Sequence, residues 1–425
     1  MSKLKLELKF NSGLAKGSTR STFDIRHSTY NVRLTTTLLY LRIMNKIGFA
    51  FLLLCACVAS AQNLSVAADS VLELEHDPKL PKEITNVEVS FFRGNIYKHT
   101  DDITHLITGH PEGIVVSVNR RTFGAKEWEQ TYNYPDYGMS FQYQNFKNTH
   151  LGEAYALAVH YNFYFLNRLL QFRISQGIGL ATHPYDKQTN FKNNAFGSRL
   201  MSSNLFLLNF KKQNIVGRFG IQAGLMFTHF SNGRFKSPNS GINTYAANIG
   251  INYNLEGEQK FRSGDTLPRK TYREPLRYSL YFRSGASESQ ITGSGQHPFY
   301  HIGLAVDKRI GRKSALQLGT DVFFSQYLKE FIRYSSVAYP DRPYLDPDTD
   351  YKRIAVFVGH ELFINRLSVE TQVGYYVYKP FDYEADVYQR AGLKYYVTKK
   401  LFAGVALKAH GGRAEAIELG IGARI

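Results

Sequence analysis

The chain has 425 residues, 14% of them aromatic, with 34 Gly, 13 Pro and only 2 Cys. Mean hydropathy is −0.30, and beyond one early apolar segment no run is long enough to cross a bilayer as a helix. Two cysteines exclude a disulfide framework. The 29 Tyr and 30 Phe beside a single Trp suit many amphipathic strands rather than helices.

Residues 44–61, MNKIGFAFLLLCACVASA, read as a secretory signal peptide. Lys46 supplies the positive start, Ile47 to Val58 the apolar core, and Ala59-Ser60-Ala61 a small-residue cleavage site. Both Cys55 and Cys57 lie inside it, so the exported chain is expected to carry no cysteine. Residues 1–43 then stand upstream of a complete signal and read as an over-extended start, with Met44 the true one. Residues 1–61 hold nine Lys/Arg and two Asp/Glu, a surplus of +7 out of the formal +17. The remaining basic excess, on an exported protein, points to anionic lipid headgroups or lipopolysaccharide phosphates rather than nucleic acid.

After a polar lead-in at 62–84, strand signals hardly stop. Segments near 86–96, 113–123, 137–147, 153–165, 169–181 and 197–210 alternate apolar and polar residues between Gly, Pro, Asn and Asp. Segments 215–231 and 243–254 follow, then a charged connection at 255–274. The second half repeats the pattern around Leu276–Arg283, Leu316–Phe324, Leu367–Val377, Leu401–His410 and Glu418–Arg424. Apolar-out, polar-in alternation over segments of about ten residues is the transmembrane β-barrel signature. The expected fold is all-β: residues 62–425 as one antiparallel outer-membrane barrel of roughly 14–16 strands. With the amino terminus on the periplasmic side, the seventh strand runs outward and ends at the level of the outer leaflet.

That seventh segment carries the chemistry. Ile221, Ala223, Leu225 and Phe227 share a face with His229 and Ser231, and Asn243 begins the return strand on the same side. Residues i and i+2 of a strand point the same way, so His229 and Ser231 fall within hydrogen-bond reach. A serine hydroxyl becomes a useful nucleophile when a neutral histidine takes its proton and a third group orients the ring. Asn243 is placed to accept from the far imidazole N–H. Asn232 and Gly233, directly after Ser231, offer an amide and a backbone N–H that could hold an oxyanion. The competing reading is that Ser-Asn-Gly and Ser-Pro-Asn-Ser-Gly are turn chemistry only.

His229-Phe230-Ser231-Asn232-Gly233, followed by Pro238-Asn239-Ser240-Gly241-Ile242, resembles the active-site hairpin of the outer-membrane lipid A 3-O-deacylases (the PagL-like, acyloxyacyl hydrolase family). The resemblance covers residues 86–254 and extends more loosely over the second half. It implies Ser231 as nucleophile, His229 as base, Asn232 with the Gly233 N–H as oxyanion hole, and the 3-O-linked acyl ester of lipid A as substrate, with no cofactor. The family's third member is a Glu where this chain has Asn243. An amide orients the imidazole but brings no charge to the imidazolium. The run His229 to Arg234 also resembles the outer-membrane phospholipases A, whose triad is His, Ser and Asn and which use calcium. A non-enzymatic porin or structural barrel is the third reading.

Other polar groups are weighed more lightly. His105, His110 and Glu112 lie close in sequence, but Pro111 and Gly113 make that stretch a turn rather than a metal site. His183, Asp186, Asn190, Asn193 and Asn194 form a polar loop that borders the site or merely turns. His410, Glu415 and Glu418 read as lumen charges paired with Arg413, Lys408 or Arg424. The stretch 329–350 reads as an outward loop.

Overall fold

Among the described residues the alternating segments form sixteen antiparallel strands, and they close into two barrels. The computed structural model describes residues 81–262, 274–339 and 346–425; the expected signal peptide at 44–61 and the segment 1–43 lie outside the described residues. The first barrel comprises β1 (Ile84–Ile96), β2 (Glu112–Arg121), β3 (Asp136–Asn145), β4 (Glu153–Phe165), β5 (Leu170–Ala181), β6 (Leu200–Val216), β7 (Phe219–Ser231) and β8 (Ile242–Asn254). The second comprises β9 (Arg277–Glu288), β10 (Gln296–Arg309), β11 (Ser314–Ser325), β12 (Arg353–Ile364), β13 (Leu367–Tyr378), β14 (Val387–Tyr396), β15 (Leu401–His410) and β16 (Arg413–Arg424). Within each barrel every strand pairs with its sequence neighbours, and β8 and β9 do not pair. β8 returns to β1 in the register Asn86↔Asn254 to Ile96↔Thr244, and β16 returns to β9.

The strand total agrees with the alternation, whereas the single closure expected for 62–425 is replaced by two. The reason is physical: period-2 alternation says which face of a strand is apolar, not which strand completes its ladder. The charged connection after Asn254 is where the first sheet ends. The turn between β6 and β7 falls at Gly217, with φ of +58°, so the seventh strand begins at Phe219 rather than at 215. The stretch beginning at 329 is not simply a loop, since α2 (Gln326–Ala338) follows β11 directly; a short α1 (Glu127–Thr131) lies between β2 and β3.

Eight strands enclose a space just wide enough for side chains to fill, and both interiors are filled with paired charges. In the first, Glu88 meets Arg173 at 2.6 Å and Lys211 at 2.5 Å. In the second, Arg390 reaches Asp321 at 2.6 Å and Glu418 at 2.7 Å, while Lys394 pairs with Glu370. Buried charges persist only when matched in this way. Such filled lumens argue against the porin reading. The outward rows, such as Ile221, Leu225 and Ile249 or Leu304, Leu318 and Ile421, are exposed and apolar, as a lipid-facing wall requires. Among the described residues no helix is long and apolar enough to cross a membrane; the strands make the crossing.

One end of the first barrel is stoppered. Ile103, Leu106, Phe146, Leu151, Phe196 and Phe230 form a buried apolar cluster drawn from the loops after β1, β3 and β5 and from the end of β7. That stopper positions the site.

Candidate active site

Phe230 sits between His229 and Ser231 and points the other way. Its ring packs edge-on against Phe146 with centroids 6.1 Å apart, fully buried in the stopper. Alternation then forces His229 and Ser231 onto the outer wall. The register of β7 with β8 sets Asn243 directly opposite His229. The outcome is a continuous relay: His229 Nε2 lies 2.8 Å from Ser231 Oγ, and His229 Nδ1 lies 2.6 Å from Asn243 Oδ1. An amide oxygen only accepts, so Nδ1 carries the proton and Nε2 is left with a lone pair for the serine hydroxyl. Ser231 is 6% exposed, while His229 and Asn243 are half-buried. Below them on the same wall, Leu225 is 64% exposed. The relay therefore sits at the top of a lipid-facing stripe.

The loop 232–241 returns over the site. The Asn232 N–H donates to Asn239 Oδ1 at 2.9 Å, and its side-chain amide donates to Ser198 Oγ at 3.0 Å and to the Lys236 carbonyl at 2.7 Å. All the donors of Asn232 are therefore engaged in shaping the loop, and the oxyanion role expected of its amide has no free N–H to serve it. Gly233, at φ +60°, holds a conformation L side chains rarely adopt. Among the described residues its N–H has no acceptor, which leaves it free for a developing oxyanion.

Several supporting residues escaped sequence reasoning. Tyr97 donates its N–H to the Asn243 carbonyl at 2.8 Å, and His99 Nε2 donates to the Ser240 carbonyl at 3.0 Å. The polar loop after β5 does border the site: the Asn194 and Ala195 carbonyls accept from Ser240 and Gly241 at 3.1 Å each. Asn239 in its Pro-Asn-Ser-Gly turn was the one visible signal. His105, His110 and Glu112 do not converge: His105 meets the Lys192 carbonyl, His110 meets Asn95, and Glu112 pairs with Lys147.

Two further serine–histidine contacts lie in the lumens. In the first barrel His160 Nδ1 is 2.8 Å from Ser140 Oγ and its Nε2 is 2.7 Å from Asn119 Oδ1, with Arg173 also on Ser140 and Asn119. The other is in the second barrel. His301 Nδ1 lies 2.8 Å from Glu418 and its Nε2 lies 3.2 Å from Ser325 Oγ. All three are buried in the lumen, Arg390 occupies the other Glu418 oxygen at 2.7 Å, and Arg353 approaches Ser325. Glu418 is thus a lumen charge as expected, although its partners Arg283, His301 and Arg390 come from β9, β10 and β14 rather than from Arg413 or Arg424; the expected Lys408 pairs with Glu415. Glu384, His410 and Glu415 bring ligand atoms within 4.8 Å of one another. Arg353, Arg234 and Lys408 already neutralise these carboxylates, so the group is an ion-pair cluster rather than a metal centre.

Two family descriptions match the chain in tandem. Residues 112–252 match "Lipid A 3-O-deacylase (PagL)" and residues 276–425 match "Acyloxyacyl hydrolase, C-terminal domain". The boundary between the two matches coincides with the boundary between the barrels. Similar solved structures include a triple mutant of the Rh. blastica porin, at 9% identity and TM-score 0.18 over 81% of this chain and 100% of that one. CdiB from Acinetobacter baumannii aligns at 10% identity and TM-score 0.18 over 80% of this chain and 60% of that one. Scores this low carry no argument beside the strand pairing itself. No curated protein matches the chain.

Proposed function

The chain belongs to the PagL-like family of outer-membrane β-barrel lipid A deacylases, and from that premise we propose that it hydrolyses the 3-O-linked acyl ester of lipid A through an acyl-serine intermediate. Ser231 Oγ attacks the ester carbonyl while its proton passes to His229 Nε2. The negative charge that collects on the carbonyl oxygen is met by the Gly233 N–H. Collapse breaks the bond to the sugar oxygen, which leaves with the proton from His229. Water then attacks the acyl-Ser231 ester, giving its proton to His229, and the fatty acid departs as Ser231 recovers its hydrogen. Asn243 holds the ring in the tautomer that each step needs. Nucleophile, base and donor are all groups of the protein, so the reaction needs no bound cofactor.

The observation that carries this reading is the direction of the relay. A hydroxyl on the outer wall, above an apolar stripe, meets an acyl ester where the lipid already lies. Mass spectrometry of lipid A from cells with and without the protein tests it. Loss of one hydroxyacyl chain, abolished by Ser231→Ala, is expected; lipid A that is identical in both would overturn it.

One observation favours a phospholipase instead: the third member of the relay is an Asn. On that reading purified protein releases fatty acid and lysophospholipid from phospholipid vesicles only with calcium present, and lipid A is left intact.

A further inference from the structure

The loop that follows Ser231 crosses to the second barrel. Gly233 lies so close to its wall that a Cβ there would come within 2.3 Å of Ile417 on β16. The Arg234 carbonyl accepts from the Glu288 N–H at 3.0 Å and the Ser287 hydroxyl at 3.2 Å, both at the end of β9. The Arg234 guanidinium donates to Glu384 at 3.1 Å and lies over the Tyr327 ring of α2 at 4.9 Å. One Glu288 carboxylate oxygen accepts from the Ser237 N–H at 2.6 Å, and the other from Gly293 and Gly295 at 2.9 and 3.1 Å. The Ser237 hydroxyl donates to the Ser289 carbonyl at 2.6 Å. The far half of the loop is fixed to the first barrel instead, through Asn194 and Ala195.

A free backbone N–H stabilises an oxyanion only if it is aimed before the charge appears. The first barrel touches the near half of the loop through the Asn232 side chain on Ser198 and through Gly197, which lies against Lys236 and Ser237; the rim of the second barrel holds it at Gly233, Arg234 and Ser237. Glu288 is 2% exposed and spends its acceptor capacity on three backbone N–H groups, one of them in this loop. A charged acceptor of backbone N–H groups makes a stronger and more directional contact than a neutral one.

We propose that the second barrel is a positioning unit for the catalytic loop, with Glu288 and Arg234 as the positioning residues that aim the Gly233 N–H at the reacting carbonyl. This rests on Ser231 being the nucleophile. Full-length protein reconstituted in outer-membrane lipid is assayed for deacylation as wild type, Glu288→Gln and Ser231→Ala, with heat-modifiable gel migration reporting that the barrels are closed. In Glu288→Gln, kcat falls by roughly tenfold or more, since a misplaced group of this kind costs about 10²-fold, while KM and migration stay those of wild type. Should Glu288→Gln fail to close, Arg234→Met and Arg234→Lys replace it. The Met variant loses kcat, and the Lys variant, which keeps the charge facing Glu384, recovers most of it. Unchanged kcat, or a rise in KM alone, overturns the proposal. Activity surviving in Ser231→Ala would instead remove the nucleophile on which it rests, so the two failures are told apart.

Discussion

A serine and a histidine are in hydrogen-bond contact on the outer wall of the first barrel and in the lumen of each barrel, and residue type alone would favour the wrong pair. The second barrel's His301 faces a carboxylate, Glu418, whereas His229 in the first faces only the amide of Asn243. Direction separates them. On β10 the outward residues are Tyr300 and Ile302, each 43% exposed, so His301 between them points inward. On β7 the inward residue is Phe230, so His229 and Ser231 point to lipid. The second barrel's lumen pair is also spent: Glu418 is shared with Arg390, and Ser325 is approached by Arg353. One strand position decides whether a serine and a histidine in contact join a lumen charge lattice or face the outer wall.

The largest difference expected between the barrels is in rate. His229→Gln lowers kcat by about 10⁴-fold, the upper range for loss of a positioned base, and combining it with Ser231→Ala costs little more because the two act as a unit. His301→Gln leaves kcat at the wild-type level wherever the barrel is folded. Steady-state kinetics on both variants checks this; equal losses would erase the distinction. Stability should show the reverse. Glu418→Ala strips Arg390 and His301 of a buried partner and costs about 3–5 kcal/mol, measured as an earlier denaturant midpoint, whereas Asn243→Ala shifts the midpoint far less. On the kinetic side Asn243→Ala lowers kcat by about 10²-fold, less than loss of the base, and Asn243→Glu raises it above Asn243→Ala by giving the imidazolium a charge to face.

The smallest effect is at the junction of the barrels, in the loop after β13. Burial and the neighbouring Glu415 push the Glu384 carboxyl up, but the guanidiniums of Arg353 and Arg234 more than offset them and hold it below the usual carboxylate range. A depressed folded value means that the stabilisation is present above the ordinary carboxylate range and is lost as pH falls through the folded value. Unfolding midpoints of wild type and Glu384→Gln should therefore differ at neutral pH and converge on acidification. A gap that widens in acid would reverse the assigned sign.

Much of this was legible in the sequence, for stated reasons. Alternation placed β1 to β8 within a few residues and put His229 and Ser231 on the apolar side, because a period of 2 is local. The short polar loop before Asn243 made the cross-strand pairing readable. Double closure was not legible, since no local pattern says that β8 pairs with β1; the charged run after Asn254 was its only trace. The His301, Ser325 and Glu418 contact was equally hidden, since it joins the paired strands β10 and β11 to the distant β16. The contacts of Glu288 with the loop after Ser231 were invisible for the same reason. The occupied donors of Asn232 needed coordinates as well, because the partners Ser198 and Lys236 are chosen by the folded loop.

The central claim is that the reactive serine is the one on the outer wall. Folded protein in lipid is treated with a serine-directed organophosphorus probe and the adduct is mapped by peptide mass spectrometry. The expected result is a single adduct on Ser231 that disappears in His229→Gln and is unaffected by Ser325→Ala. Labelling of Ser325, or none of Ser231 in protein that is actively cleaving ester, contradicts the account.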